Sequence, residues 1–163
     1  MKKKLLATLA ISALFLQAQC AFSADVWVND TRRMFTRNST VIYEINLRTF
    51  GAQDTNKNGI IDFDDAEESG TFLNAIPRLE GLSQKGINAI HVLPITPVGK
   101  TKALGTAGSL YAASSFNTLN PQLGSKNTAL SLESQARKFI DEAHKQGLRV
   151  IIDLPSCGAY DLY

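Results

Sequence analysis

The stretch Ile87–Ile95, "INAIHVLPI", is the clearest pointer to the fold class. It is a short apolar run set between Gly86 and Pro97. That is the pattern of a β-strand covered on both faces rather than one with a wet side. Such a strand needs parallel neighbours, and parallel neighbours need crossover helices that cover them. Working outward, Leu148–Pro155, "LRVIIDLP", has the same character and is closed by its proline. Val41–Phe50, "VIYEINLRTF", alternates and is rich in β-branched and aromatic residues, so it reads as a first strand. Between these runs, Phe72, Leu73, Ile76, Leu79 and Leu82 recur at helical spacing, and Gly86 stands where a C-terminal cap is expected. Ser131 can cap a second helix carrying Leu132, Ala136, Phe139, Ile140 and Ala143 and ended by Gly147. The order βαβαβ predicts an α/β fold with parallel pairing and helices outside. An open doubly wound sheet and a (β/α)8 barrel both begin this way. No glycine-rich phosphate loop follows the first strand, which lowers the nucleotide-binding version. His91, inside the second strand, reads as a hydrogen-bonded core histidine.

The composition suits one globular unit: 163 residues, 44% hydrophobic and 20% charged. Lys2, Lys3 and Lys4 precede an apolar run from Leu5 to Leu16 and then small and polar residues, the layout of a secretory signal peptide over residues 1–24. The run is too short to span a bilayer. Export to a periplasmic or extracellular location is expected. A lipoprotein attached through Cys20 is the weaker alternative, because Gln17, Ala18 and Gln19 fit a lipidation signal poorly. Removing those three lysines from the 17 basic residues leaves 14 against 15 acidic, a net charge of −1. No basic field for nucleic acid remains. Cys157 alone outlasts the leader, so no intrachain disulfide is expected. Residues 25–40 are polar and read as an extended lead-in, with the fold proper from residue 41 to 163.

"DTNKNGIIDFDD", Asp54–Asp65, interrupts the first strand-to-helix connection with a dense row of side-chain oxygens. Asp54, Asn56, Asn58 and Asp62 occupy alternate positions, and a turn at Gly59 lets them converge while the carbonyl of Ile60 adds another ligand. A hard cation taking six to eight oxygens suits this set, calcium better than magnesium. Position twelve of an EF-hand-like count is Asp65 rather than glutamate. The residues leave open a solvated Asn-Gly turn, or a dockerin-like module that binds a partner through calcium loops, although only one copy of the loop occurs.

Five stretches, taken together and in order, resemble the N-terminal part of the catalytic barrel of the α-amylase superfamily, glycoside hydrolase family 13. "VIYEINLRTF" resembles its first barrel strand, and "DTNKNGIID" followed by a helix resembles its metal loop. "LSQKGINAIHVLPITP" is similar to its first-helix end and second strand. "GSLYAASSFNTLNPQLGS" looks like its substrate-side loop, and "AHKQGLRVIIDLP" resembles the approach to its first conserved region. The resemblance spans Val41 to Pro155. It implies the first (βα)2β portion of a TIM barrel, incomplete in this chain, from an enzyme acting with retention on α-glucans or related α-glucosides. It also implies calcium as a structural ion on Asp54, Asn56, Asn58, Ile60 and Asp62.

The resemblance carries residue roles as well. Tyr111 matches the tyrosine that lines the sugar subsite beside the cleaved bond, where an aromatic face stacks on a pyranose. Asp153 matches the aspartate opening the first conserved region. Cys157 and Gly158 stand where the family has asparagine and histidine, Phe116 where it often has tyrosine, and Ser115 where it often has aspartate. The nucleophilic aspartate and the acid/base glutamate belong to strands four and five, past Tyr163. A retaining site needs two carboxyls about 5 Å apart, so the 163 residues are expected to be a truncated or split form that is inactive alone. The other expectation is a non-catalytic carbohydrate-binding or calcium-dependent interaction remnant. Neither linkage specificity nor oligomeric state is legible.

Overall fold

A computed structural model describes residues 30–63, 65, 67–105 and 108–162. The expected leader, with Cys20, lies outside them. The described residues fall into two units that divide between Thr40 and Val41. In the first, residues 30–36 are helical (α1), which corrects the extended lead-in. The Thr36 hydroxyl donates back to the carbonyls of Arg32 and Arg33, so polar composition did not prevent helical turns.

The second unit holds three parallel strands in the order β1-β2-β3: Ile42–Ile45, Ala89–Val92 and Arg149–Ile152. Each is shorter than its apolar run. Asn46 ends β1, because its side chain accepts from Arg48 N and caps the short helix α2, Leu47–Phe50. Thr71 and Asn74 then form a reciprocal cap on α3, Phe72–Ala75. Pro77 draws Ile76–Arg78 into a 3-10 turn, after which α4, Leu79–Gln84, continues to Gly86 at φ +83°. Ser131 accepts from Ser134 N and caps α5, Leu132–Lys145. Gly147, at φ +75°, turns the chain into β3.

Paired residues of a parallel sheet stand on the same side. Ile45, Ile90, Val92 and Leu148 stand on the helix side and are buried with Phe72, Leu79, Ala136 and Phe139. The Phe72 and Phe139 rings meet at a 6.2 Å centroid separation, tilted by 51°. Burying each such side chain contributes about 1.5–3 kcal/mol. The opposite parity carries Glu44, His91 and Ile151 in register across the sheet. None of these three is buried, so cover on this face is incomplete at those positions, although Ala89 on the same face is fully buried and β3 is half-buried throughout. An apolar run shows that a strand tolerates cover on two sides, not what supplies it. Among the described residues no helix is long and apolar enough to cross a membrane.

Candidate functional site

The rim at the C-terminal ends of the three strands gathers polar side chains from each. Glu44 of β1 lies opposite His91 of β2, and Asp153 follows β3 two residues beyond Ile151, the partner of His91. His91 Nδ1 is 3.1 Å from Glu44 Oε2, and its Nε2 is 4.0 Å from Asp153 Oδ2. An ionised carboxylate only accepts, so Nδ1 carries the hydrogen in the Glu44 contact. His91 is thus a bridge on the open face, not a core histidine, since the register puts it on the side the helices do not cover. Tyr111 reaches down from the loop after β2, and its hydroxyl donates to Asp153 Oδ2 at 2.7 Å. That bond raises the phenol pKa above 10.0, with lost solvation and the charges of Asp153 and Glu44 acting the same way. Tyr111 is 48% exposed.

The structure brings together the two residues assigned to substrate, Tyr111 and Asp153, and adds Glu44 and His91. Glu44 alone carried a signal, as the one charged residue within a strand of otherwise hydrophobic residues; its pairing with His91 comes from the register. The departures from the family pattern also have a physical account. A Cβ at Gly158 would lie 2.3 Å from Leu162 Cδ2, so a larger residue there requires the partly exposed Leu162 side chain to move. Cys157 is an exposed free thiol.

The oxygen-rich loop sits at the same ends of the strands. Asp54 Oδ1 accepts from Asn58 N at 3.1 Å and its Oδ2 from Gly59 N at 2.8 Å. Asn56 Oδ1 accepts from Asn58 N at 2.9 Å, and Asn58 Oδ1 from Ile60 N at 2.8 Å. Three of the five expected ligands therefore already turn their oxygens onto one turn, built on Lys57 at φ 60° and Gly59 at φ 84°. The donors are all oxygen, which fits a hard cation. Among the described residues no three His, Cys, Asp or Glu side chains converge as a metal centre, so a cation here would rest largely on amide and carbonyl oxygens beside Asp54 and Asp62.

Sequence reasoning missed Glu68. It is fully buried, accepting from Asp62 N at 2.8 Å through Oε2 and from Asn56 N at 3.4 Å through Oε1. Asp65, the nominal twelfth position, instead accepts from Glu67 N. A glutamate in a run of acidic residues gives no sign of burial in sequence. Below the loop, buried Arg48 donates from Nη2 to the Phe63 carbonyl at 3.0 Å, tying the loop to α2.

A parallel βαβαβ unit with polar groups at the C-terminal strand ends places the chain in the α/β class. No protein-family model matches the chain. It is similar to chloroplastic isoamylase 1 of Oryza sativa subsp. japonica, 24% identical over 140 residues, covering 82% of this chain and 16% of that protein. It is also similar to the malto-oligosyltrehalose trehalohydrolase of Saccharolobus solfataricus, 29% identical over 129 residues, 78% of this chain and 18% of that one. Among solved structures, a noncanonic maltogenic alpha-amylase from Thermotoga neapolitana matches with a TM-score of 0.53 and 25% identity over 70% of this chain and 22% of that chain. The chain is therefore related to the α-amylase superfamily, as its motifs suggested. It spans less than a fifth of the length of these two curated relatives.

Proposed function

We propose that this chain forms the opening (βα)2β portion of an α-amylase-type barrel and presents a sugar-facing rim to α-glucans or related α-glucosides. The observation that carries the reading is the Tyr111–Asp153 hydrogen bond at the C-terminal ends of parallel strands, the end at which barrel enzymes hold substrate. A half-exposed ring offers its face to a pyranose, and the carboxylates beside it accept hydrogen bonds from hydroxyls. In the complete enzyme the reaction is glycoside transfer or hydrolysis with retention, and the reacting carboxyls stand on later strands than these three. The part of Glu44, His91 and Asp153 is to orient the sugar, with His91 holding the two carboxylates apart. Calcium on Asp54, Asn56, Asn58, Ile60 and Asp62 supplies no chemistry in this reading; it pins the connection between β1 and α3. The leader supports export.

The test is titration of the chain with maltotriose, followed by tyrosine fluorescence and calorimetry. Saturable binding that Tyr111→Ala reduces at least tenfold is expected. Equal binding by the variant would remove the rim from the sugar site. The remnant reading is favoured by Gly158, which stands where the resembled family has a histidine; it predicts the same binding, and no release of reducing sugar even when the later strands are supplied.

A further inference from the structure

We infer that Asp161 is a positioning residue: its carboxylate clasps the loop after β2 to the segment after β3 and thereby sets the Tyr111 hydroxyl on Asp153. Tyr111 is half exposed, so packing alone does not hold its ring. What holds it is the backbone that follows. Gly99 N donates to the Ala112 carbonyl at 2.8 Å, Ser114 N to the Pro97 carbonyl at 2.9 Å, and Ala159 N to the Ala113 carbonyl at 2.7 Å. Ala113 is thus the middle of a three-segment lace, bridged to Val98 on one side and Gly158 on the other, and it is fully buried. Tyr111 lies two residues before it.

Each of those contacts is between main chains and weak alone. Asp161 adds the charged one. Its Oδ2 accepts from Lys100 N at 3.0 Å and Thr101 N at 3.4 Å, across 61 and 60 residues of chain. A hydrogen bond to an ionised acceptor is about twice as strong as a neutral one. The Lys100 N–H, first among several such donors, keeps the carboxyl below its ordinary value of 3.8, so it is ionised wherever the fold is used. Its other oxygen is shielded from solvent beside Gly99, where a Cβ would come within 2.5 Å of it and 2.3 Å of Ala159 Cβ. Residue 99 has to be glycine for the clasp to close. The use of the clasp rests on the sugar-facing reading of Tyr111, but its geometry does not.

Phenolate absorbance titration of the chain tests this, with Tyr111 isolated by subtracting the Tyr111→Phe variant. In the wild type Tyr111 titrates above 10.0 because it donates to Asp153. Asp161→Ala is expected to bring that titration back to about 10 with the far-UV dichroism unchanged, while Asp161→Asn, which keeps an acceptor oxygen, stays near the wild type. An Asp161→Ala variant that titrates as the wild type overturns the proposal. If Asp161→Ala loses its dichroism, Gly99→Ala wedges the same contact and is expected to lower the Tyr111 titration; an unchanged titration, or loss of the fold in both variants, overturns the positioning role. A shifted titration with unchanged maltotriose binding would uphold the clasp and sink the sugar reading.

Discussion

Two single residues carry the sharpest consequences. Tyr111 has its phenol pKa raised in the folded chain, so its bond to Asp153 contributes stability that is fully present below the unfolded value of 10.0 and is lost as the pH rises through the raised folded value. The difference in Tm between the wild type and Tyr111→Phe is therefore expected to hold steady to about pH 9 and to close above pH 10; a gap that widens at alkaline pH would contradict the bond. Glu68 is the second case. Glu68→Gln keeps the shape but turns an amide N–H against the Asp62 or Asn56 N–H, and an unsatisfied buried group costs about 1–3 kcal/mol. Urea denaturation should show that loss, and an unmoved midpoint would mean that the carboxylate does not hold the loop. Neither residue was equally legible. Tyr111 was found through its place in a motif, whereas Glu68 looks in sequence like one more surface acid.

The elements were read more surely than their ends. Apolar runs and helical spacing located all three strands of the sheet and both long helical segments, because core burial imposes those patterns over many residues. Local side-chain chemistry then shortened them. Asn46 caps a turn that a run of β-branched and aromatic residues hides, and Pro77 places a 3-10 turn inside what spacing shows as one helix. The oxygen-rich loop is the element where function is most exposed to test. With calcium bound to the native loop and not to the unfolded chain, chelation is expected to lower Tm, and Asp54→Ala to lower it and abolish the response to chelator. If calorimetry finds Tm indifferent to both, the loop is an Asn-Gly turn and nothing more.

For the whole molecule, the core lies between the sheet and its helices, and Phe139, 1% exposed, is its largest fully buried side chain. Phe139→Ala removes a ring from a close-packed site and is expected to cost about 3–5 kcal/mol in denaturant unfolding; a cost under about 1 kcal/mol would place the core elsewhere. The α/β class followed from the strand runs. The choice between barrel and open sheet did not, because strand order 1-2-3 is common to a barrel's opening and to the 3-2-1 half of a doubly wound sheet. Likeness to relatives and solved structures is consistent with a partial barrel. The rim was half visible: Asp153 and Tyr111 by motif, but the Glu44–His91 bridge depends on a register across 47 residues of chain, which no local pattern encodes.

The middle position of β2 also leaves a signature in time. Its amides and carbonyls are bonded on both sides, while β1 and β3 each keep one outer edge without a strand partner among the described residues. Deuterium should therefore enter Ala89–Val92 last, after the flanking strands have exchanged by fraying from their outer margins.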